Sequence, residues 1–137
     1  MMRTVLALAS GLVIASFALS HDEKAEVKRK IVSQKDIAEK LEGKDAKITV
    51  VEVTLEPGQE SPPHRHPGPV FGYVLEGQYE HAINDEPATV LNAGETFYEP
   101  GGCLHRVAKN PGNVRTRVLA TILHPRAAKQ ISVPEKK

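Results

Sequence analysis

The sequence predicts an all-β protein, folded as a small antiparallel β-barrel. Three observations support this fold class. Short apolar segments rich in β-branched residues recur along the chain, and turn signals containing Gly, Pro, Asn or Asp separate them. The chain has 137 residues, which is enough for one domain but not for two. The segments follow one another too closely to leave room for the crossovers of a parallel sheet.

The first twenty residues have the pattern of a secretory signal peptide. One positive charge at Arg3 precedes an apolar run that extends to Leu19, and small residues lead into a charged stretch beginning at His21. We therefore predict that residues 1–20 are removed and that the mature protein is periplasmic or secreted, without membrane attachment. If cleavage follows Ser20, an N-terminal His21 has two of the donors that chelate copper, but a solvated terminus is the simpler interpretation.

Residues 21–45 form an N-terminal segment with a first strand. Val27, Arg29 and Ile31 alternate with other residues at a period of two, which predicts a half-buried strand over residues 27–32. Residues 34–42 end at Gly43 and fit one or two helical turns or an irregular loop. The first strand could pair with a second copy of the chain in a homodimer, or its basic residues could protect a free edge.

Residues 46–124 are predicted to form the barrel, and residues 125–137 a polar C-terminal tail. With the first strand, about eight strands complete the fold. The predicted strands of the barrel are residues 47–55, 70–76, 78–84, 88–91, 95–99, 104–108 and 114–123.

Composition excludes several classes of function. The formal net charge is +1, and no cluster of Lys and Arg is dense enough to bind a run of phosphates, so nucleic acid is not an expected partner. The single cysteine, Cys103, excludes an intrachain disulfide and cysteine-rich metal sites. Histidines and carboxylates are therefore the main candidate metal ligands.

Three histidines have a spacing that indicates a metal site. His64 and His66 are two residues apart, so on a strand their side chains lie on the same face. His105 follows a Pro-Gly-Gly turn, and a closed barrel could bring it back to the first two. We predict that His64, His66 and His105 bind a divalent metal ion.

At these residues the sequence resembles the cupin superfamily, in particular its small single-domain bacterial members. Two cupin patterns, Gly-x5-His-x-His-x3-Glu-x6-Gly and Gly-x5-Pro-x-Gly-x2-His-x3-Asn, fit residues 58–110 at eight of their ten landmark positions. The matching residues are Gly58, His64, His66, Gly77, Gly94, Pro100, Gly102 and His105. Val70 stands where the first pattern has glutamate, and Asn110 comes one residue late in the second. The resemblance implies a double-stranded β-helix (jelly-roll) that holds a metal through three histidines.

The resemblance also implies a chemistry. Some cupins with three-histidine iron sites are dioxygenases, so iron is the first expectation, with zinc, manganese, nickel or copper as alternatives. Three neutral imidazoles leave the charge of the ion uncompensated, which favours a small, chelating, anionic organic molecule as ligand or substrate. Zinc would instead favour hydrolytic or lyase chemistry. The alternatives are a cupin that binds a metal or small ligand without turnover and a barrel that has lost its metal.

Several other residues are candidates for secondary roles. Glu60, Glu76, His81 and Glu99 could replace the missing glutamate or act as a general base. Cys103 is expected to be a small buried residue and Arg106 to lie on the outer face, while tyrosines at three positions could line the pocket or serve packing. These tyrosines are Tyr73, Tyr79 and Tyr98.

Overall fold

The computed structural model describes residues 25–136; the predicted signal peptide and His21 lie outside the described residues. Within this part of the chain the structure consists of strands and contains no helix, which confirms the predicted all-β class. Accordingly, residues 25–136 include no helix long and apolar enough to cross a membrane. The strands are β1 (Lys28–Leu41), β2 (Lys44–Leu55), β3 (His64–Arg65), β4 (Val70–Glu76), β5 (Gln78–Ile83), β6 (Thr89–Asn92), β7 (Thr96–Glu99), β8 (Leu104–Lys109), β9 (Thr116–Pro125) and β10 (Val133–Pro134).

The strands form two five-stranded sheets. The first sheet has the order β1-β2-β9-β4-β7, and the second has the order β10-β3-β8-β5-β6. Every pairing is antiparallel. Apolar side chains from both sheets form one core, which contains Val51, Leu55, Val70, Val74, Tyr79, Phe97, Ala108, Val118 and Ile122.

The first strand is longer than its local sequence suggests. Residues 34–42 are predicted as helical turns or a loop, yet β1 continues to Leu41 and pairs with β2 along its length. Two irregularities in the register, after Ile31 and after Ile37, break the apolar alternation that would identify a strand in the sequence. Glu42 and Gly43 close the hairpin with φ values of 49° and 76°, as a two-residue type I′ turn requires. A Glu-Gly pair is an uncommon signal for this turn.

Gly72 on β4 provides space for an aromatic ring of the core. Its register partner on β7 is Phe97, and a Cβ atom added at Gly72 would lie 2.0 Å from Cζ of that ring. The ring could not stay in place, and it also packs against His81, with ring centroids 4.6 Å apart. A larger residue at position 72 would therefore disturb the interior of the barrel.

We expect Gly72→Ala to lower the free energy of unfolding by about 1–3 kcal/mol, the usual effect of overpacking a core. The melting temperature should fall by roughly 4 °C per kcal/mol, as measured by circular dichroism. Gly112→Ala is the matched control, because the nearest atom to its added Cβ is 3.4 Å away. Equal melting temperatures for the two variants would contradict the proposed role of Gly72.

The predicted polar tail, residues 125–137, contributes a strand to the second sheet. Val133 and Pro134 in β10 pair with β3. Arg65 on β3 also binds both carboxylate oxygens of Glu135, at 2.9 and 3.1 Å. Ile131, just before β10, packs against the core. The segment therefore lies along β3 at the edge of the second sheet, although its composition is that of a tail.

Candidate metal centre

The structure brings His64, His66 and His105 together inside the barrel. His64 on β3 is the register partner of His105 on β8, so the two side chains leave the same face of the sheet. His66 follows His64 by two residues and lies on the same side. Potential ligand atoms from the three rings lie within 4.8 Å of one another. The cluster could hold a metal ion.

Backbone carbonyl groups determine which nitrogens of His64 and His66 are available. Nδ1 of His64 donates to the carbonyl oxygen of Pro62 at 2.8 Å, and Nδ1 of His66 donates to that of Ile131. In a neutral ring the proton is then on Nδ1, and Nε2 carries a lone pair. The two Nε2 atoms are 3.1 Å apart. Two facing lone pairs at this distance repel each other unless a cation lies between them.

Glu99 adds a carboxylate to the cluster. The residue is only 2% exposed. Its Oε1 lies 3.0 Å from Nδ1 of His105, and its Oε2 lies 3.7 Å from Nε2 of His66. Neither Oε2 of Glu99 nor Nδ1 of His105 has a hydrogen-bond partner among the described residues. Unpaired buried polar atoms cost on the order of 1–3 kcal/mol each, so these two atoms fit a site in which an ion supplies the missing contact.

Glu99 lies opposite the position at which the sequence lacks the glutamate of the cupin pattern. Val70 on β4 stands where the cupin pattern has glutamate, and its register partner on β7 is Glu99. The two residues are 1% and 2% exposed, so both side chains point into the barrel. A carboxylate on the neighbouring strand therefore lies close to the predicted histidines. Glu99 is one of the four residues predicted as a possible replacement for that glutamate.

His81 on β5 lies on the other side of this carboxylate. Its Nε2 is 3.3 Å from Oε1 of Glu99 and donates to it. His81, Glu99 and His105 form a second buried group whose potential ligand atoms lie within 4.8 Å of one another. Since both groups contain His105, the site is one connected cluster of four histidines and one glutamate.

Burial sets the protonation states in the cluster. Burial lowers the pKa of His64 and lowers the pKa of His105 to about 3, so both rings are neutral at pH 7, the form that binds metal. Burial raises the pKa of Glu99, but the hydrogen bond from His81 and the nearby rings of His105 and His66 outweigh it, and the pKa lies below its ordinary value. Neutral imidazoles beside a carboxylate are ligands that suit iron, zinc and manganese.

A small interior cavity of about 90 Å³ adjoins the cluster. Its polar lining comes from Tyr79, Arg29, Ser61 and Ser132 and from the cluster residues His64, His66, Glu99 and His105. The remaining walls are apolar and consist of Val51, Val53, Val70, Phe97, Ala108, Val118, Ala120, Ile122 and Ile131. The Tyr79 hydroxyl lies 3.4 Å from Nε2 of His105, and burial raises the pKa of Tyr79. The hydroxyl therefore keeps its proton and can act as a hydrogen-bond donor in the cavity.

Of the four residues that could replace the missing glutamate, two lie in the cluster and two do not. Glu99 and His81 lie in the cluster, whereas Glu76 is bound to Arg115 and Arg117 on the outside of the barrel. Glu60 lines an outer depression and is not part of the cluster. The sequence could not distinguish the three glutamates, because each lies at a strand end or beside a turn.

Other predicted residues lie apart from the cavity. Arg106 is exposed and donates to the carbonyl oxygens of Asn84 and Glu86, as expected for the outer face. Tyr73 and Tyr98 are exposed by 43% and 55%, so only Tyr79 of the three tyrosines lines the cavity. Cys103 is partly exposed and does not line it.

A β-bulge explains the displaced asparagine of the second sequence pattern. Ala82 pairs with Val107, but the next residue, Ile83, pairs with His105. The bulge therefore adds one residue to β8, between His105 and Asn110. Asn110 is fully buried, and its side-chain amide donates to backbone carbonyls on two neighbouring segments. Its role is structural.

Solved structures similar to this chain share the double-stranded β-helix fold. An uncharacterised conserved protein with this domain from Klebsiella pneumoniae is 25% identical, with a TM-score of 0.62 over 82% of this chain and 88% of that chain. The DMSP lyase DddQ from Ruegeria pomeroyi is 21% identical, with a TM-score of 0.61 over 87% of this chain and 58% of that chain. The latter similarity shows the fold alone.

A third similar structure is an oxalate oxidase in complex with the substrate analogue glycolate. It is 28% identical, with a TM-score of 0.51 over 54% of this chain. The match spans 40% of the length of the oxalate oxidase. Among curated proteins, none matches this chain.

The family assignment rests on the strands that surround the cluster. The Cupin domain family model matches residues 51–122, more than half of the chain. This range contains both sequence patterns and every histidine and glutamate of the cluster. The protein belongs to the cupin family.

Proposed function

We propose that the protein is a metal-dependent enzyme whose mononuclear site acts on a small, chelating, anionic organic molecule. One observation carries the proposal. The Nε2 atoms of His64 and His66, whose Nδ1 atoms donate to backbone carbonyls, face each other across 3.1 Å, beside a buried glutamate with an unpaired oxygen. Nitrogens bound to a single ion at about 2.0–2.1 Å are separated by roughly 3 Å, so the observed spacing suits a metal.

His64, His66 and His105 would hold the ion, and Glu99 would be its carboxylate ligand. We propose iron as the metal and an oxygenase as the type of enzyme. Bound iron would supply a Lewis-acidic centre for oxygen anions and a position for dioxygen. Glu99 offsets one unit of the ion's charge, which leaves a net positive site that still attracts an anion.

The remaining residues of the site position and shield the reaction. His81 donates to Glu99 and holds the carboxylate in one orientation. The protonated hydroxyl of Tyr79 can donate to an oxygen of the substrate. The apolar walls exclude bulk water, which strengthens electrostatic interactions in the cavity. The similarity to an oxalate oxidase with bound glycolate supports a small carboxylic acid as substrate.

Oxygen consumption by the iron-loaded protein tests this function. We expect uptake above background with at least one compound of a panel that contains glycolate, oxalate, a β-diketone, a thiol and a hydroxylated aromatic acid. The control is the variant His64→Ala/His105→Ala, treated with iron in the same way, which should show background uptake only.

Two results would contradict the oxygenase. Zinc in place of iron, by elemental analysis of protein purified without a chelator or histidine tag, would favour hydrolytic or lyase chemistry. Stoichiometric iron with no uptake for any compound would favour a cupin that binds a metal or small ligand without turnover.

A further inference from the structure

An outer depression of about 490 Å³ adjoins the interior cavity. Both are lined by Arg29, His64 and Ser132. The depression is also lined by residues just before β1, in the loop before β3 and in β10, namely Ala25, Glu26, Val27, Glu60, Pro62 and Pro134. A small molecule bound in the depression would therefore lie beside both Arg29 and His64.

The charge of Arg29 is not paired with a carboxylate. Its guanidinium donates to the hydroxyl of Ser61 at 2.9 Å and to the carbonyl oxygen of Val27 at 3.3 Å. Both acceptors are neutral. No carboxylate of residues 25–136 lies within 4.0 Å of the guanidinium, which sets Arg29 apart from Arg65, Arg115, Arg117 and Arg126. Ser61 and Val27 thus orient the group without neutralising it.

The position and chemistry of Arg29 suit a carboxylate. A guanidinium has five N–H donors in a planar arrangement that matches two carboxylate oxygens. Within residues 25–136 the Arg29 guanidinium makes only two hydrogen bonds, so donors remain for a ligand. Arg29 is the one arginine or lysine that lines the interior cavity, as far as the described residues show.

We propose that Arg29 binds the carboxylate of a small organic acid while a second oxygen of the same molecule reaches the histidine and Glu99 cluster. The inference rests on the proposed function and names the substrate class. The molecule would be a 2-hydroxy acid, a 2-oxo acid or a short dicarboxylate, because these place a second oxygen next to the carboxylate. The interior cavity limits its size: a cavity of about 150 Å³ accommodates benzene, and this one has about 90 Å³.

Glycolate binding to the metal-loaded protein, measured by titration calorimetry, tests the inference. We expect Arg29→Gln to raise the Kd for glycolate at least about tenfold, as for the loss of a charge-assisted pair of hydrogen bonds. Arg29→Lys should have an intermediate effect, since it keeps the charge but not the planar donors. Binding of glycolamide, which has no charge, should change little in either variant.

Arg106→Gln is the matched control, because Arg106 is also bound only to neutral acceptors but lies on the outer face. It should bind glycolate like the unaltered protein. Arg29 is not among the metal-binding candidates, so the metal content of Arg29→Gln should equal that of the unaltered protein. Melting temperatures establish that each variant is folded.

The outcomes separate this inference from the proposed function. A full metal content with an unchanged glycolate Kd in Arg29→Gln would overturn the role of Arg29. A metal-loaded protein that binds neither glycolate nor oxalate would overturn the substrate class but leave the metal site. Failure of the unaltered protein to bind metal would overturn the proposed function and this inference together.

Discussion

Simultaneous replacement of His64 and His105 by alanine should reduce bound metal from about one ion per chain to background. The two residues are register partners on adjacent strands, and their rings provide two of the three nitrogens proposed to bind the ion. Elemental analysis of the two proteins, prepared in parallel, measures the effect. Metal at 100 times its Kd stabilises a folded protein by about 2.7 kcal/mol. A chelator should therefore lower the melting temperature of the unaltered protein and leave that of the variant unchanged.

His124 supplies a matched control for this experiment. It is buried, at 2% exposure, and is bonded to Thr49 through Nε2 at 2.9 Å. It is not part of either potential metal-binding group. His124→Ala should lose stability, because it leaves a cavity and an unpaired hydroxyl, yet keep its metal. Equal metal contents for the unaltered protein and the double variant would disprove the proposed site.

Replacement of Glu99 by valine should weaken metal binding by at least about tenfold, the lower range for a group that ligates or orients ligands in a metal site. The reason is the loss of the one carboxylate of the cluster. The double variant Val70→Glu/Glu99→Val places the carboxylate on the neighbouring strand. It should restore much of the affinity for the metal. Residues 70 and 99 are direct register partners whose side chains point to the same interior. Metal titrations of the three proteins, monitored by competition with a chelator, provide the comparison.

The single variant Val70→Glu completes this set. It places two carboxylates directly opposite each other on paired strands, where like charges destabilise the sheet. We expect a lower melting temperature for the metal-free form than in the double variant. If the double variant binds metal no better than Glu99→Val, then position 70 is not equivalent to position 99, and Glu99 acts only through His105 or His81.

Local sequence patterns predicted the part of the site that depends on nearby residues. His64 and His66 share a face because strand side chains alternate with a period of two. The Pro-Gly-Gly turn before His105 starts the strand that returns to them, and β3 and β8 pair as this prediction requires. The succession of short apolar segments also predicted the antiparallel all-β fold. Each of these inferences uses a span of only a few residues.

Other features depended on contacts between distant segments. The strand character of residues 34–41 comes from pairing with β2 and is interrupted by an irregularity in the register after Ile37, so no simple alternation reveals it. The bulge in β8 places Asn110 one residue late. The contribution of β10 depends on two paired residues and the Arg65 to Glu135 contact. Pairing of this kind is set by the whole sheet and not by local preference.

The fold class, the resemblance to the cupins and the grouping of three histidines inside a barrel could be predicted from the sequence alone, because apolar periodicity and ligand spacing are local properties. The tertiary structure was needed to show that Glu99 lies opposite Val70 and that backbone carbonyl groups orient His64 and His66. It also placed Arg29 in the lining of both the cavity and the adjoining depression. These features arise from the register between strands that are distant in the chain. A shift of one residue in that register would turn the same side chains to the opposite face.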